Sequence, residues 1–454
     1  MNSALIQKYN VPGPRYTSYP TVPFWDKEGI ALDDWKQTVI RSFKESNDSE
    51  GISVYIHLPY CESMCTFCAC HKHITIRHEV EDPYISTVLK EWKMYADLIE
   101  ERPKIKEIHL GGGTPTFFSP SNLERLINGI FEHADRYEET EFSFEGHPNN
   151  TTAAHLQALY DIGFRRCSFG IQDYDPIVQK AVNRVQSFEA VKKVTEIARA
   201  IGYTSISHDL IFGLPFQHES SIRDTIEKTI ELKPDRIAYY SYAHVPWIKG
   251  VGQRGFDEND LPKDDEKRFL YELGKQLFFD NGYIEIGMDH FSLPTDTLYK
   301  AMENKTLHRN FMGYSAGKTQ LMVGLGASSI SDSWYSFAQN EKSIADYTNA
   351  VNEGRIPIFR GHLLTNTDLI VRKHILNLMC QLETSWEDPT KSIDDLEDSL
   401  QRLREMEEDG LLKIGDSDIK VSEEGRMYIR NVCMALDRRL IDNKPETRIF
   451  SMTI

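Results

Sequence analysis

ISVYIHLPYCESMCTFCACHK, residues 52–72, decides how this chain is read. Its first seven residues are β-branched, aromatic and apolar, which suits a short strand. Three cysteines follow as C-x3-C-x2-C, at Cys61, Cys65 and Cys68, with Cys70 two residues on. Thiolates are soft ligands, suited to zinc or to an iron–sulfur cluster. A closed zinc site usually takes four ligands in two separated pairs. Here three ligands crowd one loop and no second pair follows. That favours a cubane cluster with three cysteine-held irons and one iron open to an outside ligand; zinc is the alternative.

Working outward, the pattern alternates strand and helix from residue 52 to about residue 286. Strands are expected at 52–58, 105–110, 141–146, 165–170, 205–213, 236–242 and 283–287, with helices at 83–98, 120–134, 152–162, 190–200, 219–232 and 264–281. Repeated βα units predict a parallel sheet buried on both faces. Six or seven units suit a full or partial βα barrel of the TIM type. Cys61, the glycines 111–113, Glu145, Gln172 and Asp209 all fall at the C-terminal ends of these strands. In βα folds that rim holds the active site.

The flanks differ in character. GPRYTSYPTVPFW (13–25) is Pro- and Tyr-rich and reads as an extended cover, because Pro blocks regular helix. Residues 33–45 read as a helix, with Trp35, Val39 and Phe43 on one face. Residues 307–331 read as a functional loop or strand pair. Residues 365–437 are mostly helical, and GLLKIGDSDIKVSEEG (410–425) reads as the wing of a winged-helix-like module. Its helix over 396–409 is acidic, which argues against DNA recognition. The expected division is 1–48, covering segment and helix; 49–300, barrel core; 301–360, connecting active-site region; 361–454, helical module.

With 69 acidic and 52 basic residues in 454, the chain carries a formal charge of −17. That balance argues against a nucleic-acid partner, and an anionic substrate would need local basic groups. At 40% hydrophobic and 27% charged, the composition is that of a globular protein and excludes a fibrous or disordered chain. The seven cysteines are odd in number and four fall within ten residues, unlike a disulfide framework. A reducing compartment is expected. Residues 1–20 show no signal-peptide core and no apolar run approaches a membrane span, so the expected address is the cytoplasm, with no membrane partner. Cys167, Cys380 and Cys433 read as core residues. Nothing in the pattern demands an interface, and a monomer is expected.

C-x3-C-x2-C, with Phe67 before the third Cys and GGGTPT (111–116) one βα unit later, resembles the radical S-adenosylmethionine (SAM) superfamily. The whole chain resembles the oxygen-independent coproporphyrinogen III oxidase family. The motifs that carry this are LIQKYNVPGPRYTSYPT (5–21), YIHLPYCESMCTFCACHK (55–72), HLGGGTPT (109–116), GIQDYD (170–175), VNRVQ (182–186), DLIFGLP (209–215), YAHVP (242–246), GMDHF (287–291), LHRNF (307–311) and RNVC (430–433). The resemblance implies a 4Fe–4S cluster on Cys61, Cys65 and Cys68, with Cys70 outside the ligand set, and two SAM molecules. For the first SAM the matching positions are Tyr55, Gly112, Glu145 and Ile330. For the second they are Phe67, Gly113, Thr114, Gln172, Arg184, Asp209 and Ala243. Tyr55, Glu145, Phe311 and Met312 would line the reacting centre.

Three departures from the family stand out. Ala69-Cys70-His71 replaces Gly-Cys-Asn, Met312 replaces a common Gln, and EGHPN (145–149) replaces an EVDP-type segment while keeping Glu145. The resemblance implies oxidative decarboxylation of two propionates of coproporphyrinogen III to vinyls, started by a 5′-deoxyadenosyl radical. An electron donor such as flavodoxin or ferredoxin would reduce the cluster. Arg15 and Arg309 are the expected propionate anchors, because charge-assisted contacts of roughly 1.5–3 kcal/mol each outweigh a screened repulsion. His244, His290 and His308 read as satisfied structural histidines. A related tetrapyrrole-modifying radical SAM enzyme and a haem chaperone stay open as alternatives.

Overall fold

The computed structural model describes residues 3–245, 253, 255–387, 396–447 and 449–453. The YAHVP motif ends on Pro246, outside the described residues. Six strands form the parallel heart of one sheet: β1 Ile52–Leu58, β2 Lys104–Gly112, β3 Asp135–Gly146, β4 Phe164–Gln172, β5 Ser205–Phe212 and β6 Arg236–Ser241. The remaining strands are β7 Ile284–Gly287, β8 His290–Ser292, β9 Met322–Leu325, β10 Ile330–Asp332, β11 Ser336–Asn340 and β12 Ile358–Leu363. The order is β12-β11-β10-β9-β1-β2-β3-β4-β5-β6-β8-β7. This is a partial α/β barrel with a smaller, mostly helical C-terminal module.

The βα run stops one unit earlier than the sequence predicts. β7 is antiparallel to β8, and β8 is antiparallel to β6. Only Met288 and Asp289 separate β7 from β8, and a parallel crossover needs a dozen residues or more. The seventh parallel strand is β9, on the far side of β1.

The strands alternate between two faces, interrupted by local register shifts. Val54, Ile56, Leu58, Ile108, Leu110, Phe142, Phe144, Phe169, Ile206, Leu210 and Ile237 point outward and are fully buried beneath the helices. Register then puts their neighbours on the inner face: Tyr55 opposite His109, His109 opposite Ser143, Glu145 opposite Ser168, Ser168 opposite Ser207, and Asp209 opposite Ala238. The outer face is buried as expected, but the inner face is a half-exposed polar lumen, not a second buried face. Apolar packing lies outside it.

The helix Leu32–Ser46 buries Trp35, Val39 and Phe43 against this outer layer. In the C-terminal module, helices Asn366–Gln381, Leu396–Glu408 and Ile429–Leu436 pack with a three-stranded sheet, Glu383–Ser385, Leu412–Ile414 and Asp418–Val421. Tyr9, Tyr16 and Tyr19 of the N-terminal segment are buried in the same core. Arg430 fixes that segment, donating to the carbonyls of Gly13 and Pro14, the latter at 2.8 Å, and to Met452 at 2.7 Å. Among the described residues no helix is long and apolar enough to cross a membrane.

Candidate functional site

The rim gathers most of the residues singled out above. β1 ends in the cysteine loop. That loop is clamped from the turn after β4: Thr66 N–H donates to Val182 O at 2.9 Å and Asn183 Nδ2 to Met64 O at 2.7 Å. The same turn aims Arg184 at the cysteines, with Nη1 3.7 Å from Cys65 Sγ and Nη2 donating to Gly170 O at 2.6 Å. Arg184 is thus no surface residue. Phe67 packs on Val178, Val182 and Ile211.

Gly111, Gly112 and Gly113 lie against the same loop. Gly113 N–H donates to Leu58 O at 2.8 Å and Thr114 N–H to Tyr60 O at 2.9 Å. A Cβ on Gly113 would sit 2.7 Å from the Pro59 carbonyl, and Gly112 has φ +115° with the His57 ring 2.8 Å from where its Cβ would be. Only glycine fits both places. Thr114 Oγ1 lies 3.3 Å from Cys61 Sγ.

Hydrogen bonds fix one tautomer here. The His57 ring must donate Nε2–H to the His71 carbonyl (2.9 Å), so its Nδ1 accepts from Tyr55 Oη (3.0 Å). Burial pushes His57 down to about 4, so it stays neutral. The contact from His71 is a backbone one, which the His-for-Asn departure leaves intact. His109 donates Nε2–H to Glu145 Oε1 (3.3 Å), and its Nδ1 lies 2.8 Å from Ser143 Oγ. Glu145 also accepts from Gly112 N–H at 3.4 Å, and its side chain is 46% exposed to the lumen. Asp209 has a single long contact, Ser207 Oγ at 3.4 Å. Burial, and then the charge of Glu145, push its carboxyl up to about 7.

Phe311 sits edge-on to Trp25 and Phe337, beside Ile330, at the tip of a short hairpin, His308–Asn310 with Gly313–Ser315. Met312 enters through its backbone, whose N–H donates to Asn310 Oδ1 at 2.9 Å. Gln172 closes β4 with φ +68°, and Ala243 O accepts from Gln253. Arg15 pairs with Asp289 and keeps a third of its side chain exposed. Arg309 is buried beneath it, donating Nη2 to Arg15 O at 3.2 Å, while its Nε and Nη1 have no partner. His290 contacts Tyr240 Oη at 3.4 Å through Nε2, and its Nδ1 is buried and unbonded. The expectation of a satisfied structural histidine fails at His290. The sequence reading also missed His57, His109, Tyr240 and Asp289. Strand alternation was the available signal, since most of these occupy inward positions.

The donor set suits an iron–sulfur cluster. Three thiols sit on one loop with an arginine beside them. Burial holds Cys61 up at about 11, eased by the Thr114 hydroxyl, whereas a hydrogen bond from Cys70 holds Cys68 below the usual thiol range. Among the described residues no three Cys, His, Asp or Glu side chains have the geometry to hold one metal ion. A cluster, which divides three thiolates among three irons, does not require that.

The radical SAM superfamily model matches residues 55–229. The chain is 36% identical to an oxygen-independent coproporphyrinogen III oxidase of Synechocystis, over all of this chain and 98% of that one. It is also 36% identical to those of Escherichia coli and Helicobacter pylori, over 96% of this chain in each case and 95% and 96% of theirs. The crystal structure of the Escherichia coli coproporphyrinogen III oxidase HemN, described as a radical SAM enzyme, superposes with a TM-score of 0.89 at 33% identity. That superposition covers 96% of this chain and 98% of HemN.

Proposed function

The chain belongs to the oxygen-independent coproporphyrinogen III oxidases of the radical SAM superfamily, and from that premise we propose how its rim residues share the work. The reaction is the oxygen-independent oxidation of coproporphyrinogen III in haem biosynthesis, in which two propionates each give up a β-hydrogen atom, CO2 and one electron, the electron passing to a one-electron acceptor, and become vinyls. The 4Fe–4S cluster and SAM, when bound, supply the 5′-deoxyadenosyl radical that removes a propionate β-hydrogen. Everything else falls to the chain: binding, orienting and excluding other hydrogen donors.

Cys61, Cys65 and Cys68 hold the cluster. Tyr55, Gly112, Glu145 and Ile330 hold the first SAM, with Glu145 accepting from its ammonium, and Phe311 and Met312 close over it. Phe67, Gly113, Thr114, Gln172, Arg184, Asp209 and Ala243 hold a second SAM. One observation carries this part of the reading. Arg184 and Asp209 lie beside the cysteine loop near enough for their charges to act on each other, yet among the described residues neither forms an ion pair. A SAM carboxylate and ammonium would satisfy one each. Arg15 anchors a propionate, with Arg309 adding positive charge behind it. The segment 1–48 and the module 361–454 cover the site. The protein works as a cytoplasmic monomer and takes electrons from a flavodoxin or ferredoxin.

Anaerobic reconstitution should yield about four irons and four sulfides per chain. Coproporphyrinogen III, SAM and dithionite should then give deoxyadenosine and protoporphyrinogen. Equilibrium dialysis should find two SAM per chain, and one in Arg184→Met. A single site in the wild type would refute the two-SAM arrangement, and absence of protoporphyrinogen would refute the reaction.

A further inference from the structure

Between the barrel and the C-terminal module lies a cavity of about 1040 Å3 that shares no lining residue with the rim. The barrel side supplies Leu307, His308 and Ala316, at the base of the short hairpin, and Trp334, in the turn between β10 and β11. The module supplies Lys373, Leu376 and Cys380 from the helix Asn366–Gln381. Its charge runs against that of the chain. Lys106, Lys305, Lys318, Lys373 and Lys420 line it, against three carboxylates, Glu383, Glu387 and Asp418. Lys305 pairs with Glu383, Lys420 with Asp418 at 3.1 Å, and Lys318 with Glu50 at 3.8 Å. Among the described residues Lys106 and Lys373 form no ion pair. On a chain of net charge −17, this excess of lysines around one hollow concentrates positive potential there.

His308 is the second observation. It is 9% exposed and lines the cavity, and its ring forms no hydrogen bond among the described residues. The expectation of a satisfied structural histidine therefore fails here as well. Burial, and then the charges of Arg372 and Lys318, push the ring down to about 3, so the imidazole is neutral and keeps a free lone pair. A buried polar group without a partner costs stability unless something completes it. His374, on the same cavity, instead meets Thr384 Oγ1 at 2.7 Å through Nδ1. Trp334 adds a third sign. Its backbone is held at φ +65°, a conformation that bulky residues rarely adopt and that clusters at ligand sites. Arg372, itself paired with Asp332, and Lys318 lie over its ring at 4.3 and 5.1 Å.

We infer that this cavity binds an iron porphyrin carrying carboxylates, with His308 as a ligand to the iron and Lys106 and Lys373 pairing with the carboxylates. A neutral imidazole suits iron, and free lysines suit the anionic groups. Leu307, Ala316 and Leu376 supply apolar surface for the ring system, and the volume is that of a site for a molecule of this size. On binding, the imidazole lone pair forms the bond to iron and an iron-bound water leaves; no electron is transferred. The inference goes beyond the function proposed above and rests on it for the ring system alone. The product proposed there is a metal-free porphyrinogen, and an iron porphyrin is its oxidised, metallated descendant. The metal-free substrate and product would both leave His308 unused.

The test titrates iron(III) protoporphyrin into the reconstituted enzyme and follows the Soret band by difference absorbance. The wild type should bind one equivalent with a shifted band, and metal-free protoporphyrin should bind at least tenfold more weakly. His308→Leu should abolish the shift and raise Kd at least tenfold. Lys106→Ala with Lys373→Ala should raise Kd at least fivefold and leave the band position unchanged, because the iron ligand remains. Dithionite-driven turnover of coproporphyrinogen III should be the same in this double variant as in the wild type. If His308→Leu does not fold, His308→Met replaces it and should move the band to a different position, since a thioether then meets the iron. A wild type that binds no iron porphyrin, or the same band and Kd in wild type and variants, overturns the site. Displacement of the iron porphyrin by coproporphyrinogen III, or loss of its binding in Arg15→Ala, would put it at the rim and also overturn the site. A wild type that forms no protoporphyrinogen overturns the proposed function instead, and the titration still decides the cavity.

Discussion

The two ends of the barrel lumen are built from the same inward register yet are wired in opposite ways. At the N-terminal floor, Arg236 donates to Asp296 at 2.7 Å and to Thr297 at 2.9 Å, Ser205 donates to Asp296 at 2.6 Å, and Arg166 pairs with Glu141. Opposite charges there face each other at close range. At the C-terminal rim the contacts of Glu145 and Asp209 stretch to 3.3–3.4 Å, and Arg184 meets carbonyl and sulfur but no carboxylate. Asp209, whose carboxyl burial penalises, costs stability when held this loosely unless something else completes it. The floor stabilises the fold, and the rim keeps its hydrogen-bonding capacity for ligands.

The sharpest way to break the comparison is at the metal ligands proposed for the rim. Cys65→Ser should abolish turnover and cut bound iron and sulfide well below the expected complement of about four each. Far-UV circular dichroism should not change, because Val182 and Asn183 still clamp the loop through its backbone. Retention of full iron would remove Cys65 from the ligand set. Next comes the floor. Asp296→Asn leaves Arg236, 4% exposed, without its charge partner. Breaking a buried pair costs roughly 3–5 kcal/mol, measurable by urea unfolding. SAM affinity of the folded variant should equal that of the wild type. Weakened SAM binding at unchanged stability would reverse the roles of the two ends.

How much of this was legible follows from what each signal depends on. The cysteine loop and the glycine segment are local in sequence, so spacing alone exposes them. The strand order up to β6 follows from the βα alternation. The stop at β7 does not, because a short apolar run such as YIEIG reads alike as parallel or antiparallel. The polar lumen was written in the alternation of SVYIHL and SISHDL, but its meaning depends on which face closes inward. Asp289 escaped for another reason. Its partner, Arg15, lies 274 residues away in the N-terminal segment, and no periodicity connects them.

One floor residue tests the comparison from within. Glu107 accepts from Ser53 at 2.7 Å, yet its other oxygen is buried without a partner. Burial pushes its carboxyl from 4.5 up to about 7. The folded chain therefore keeps a proton that the unfolded chain has released, so stability falls as pH rises from about 4.5 to 7 and is level above that. At 1.36 kcal/mol per unit the cost is at most about 3 kcal/mol. Glu107→Gln should remove it: its unfolding free energy should gain on the wild type between pH 5 and pH 8. Parallel pH profiles for the two proteins would show that this carboxyl is ionised in the fold without penalty.

The smallest expected effect sits where floor-like pairing appears at the rim, at Arg15. A fresh charge-assisted hydrogen bond is worth roughly 1.5–3 kcal/mol. Arg15 already pairs with Asp289, so a propionate must share the guanidinium with that carboxylate and gains less. Arg15→Ala should raise the KM for coproporphyrinogen III about five- to tenfold, which corresponds to about 1–1.4 kcal/mol, with kcat little changed. Arg15→Lys should recover part of the loss, since it keeps the charge but not the planar fork. Raising salt should weaken substrate binding in the wild type more than in Arg15→Ala, because a part-exposed charge is screened over about 8 Å. A KM unchanged within error in Arg15→Ala would make the Arg15–Asp289 pair purely structural and move propionate anchoring to other lumen donors.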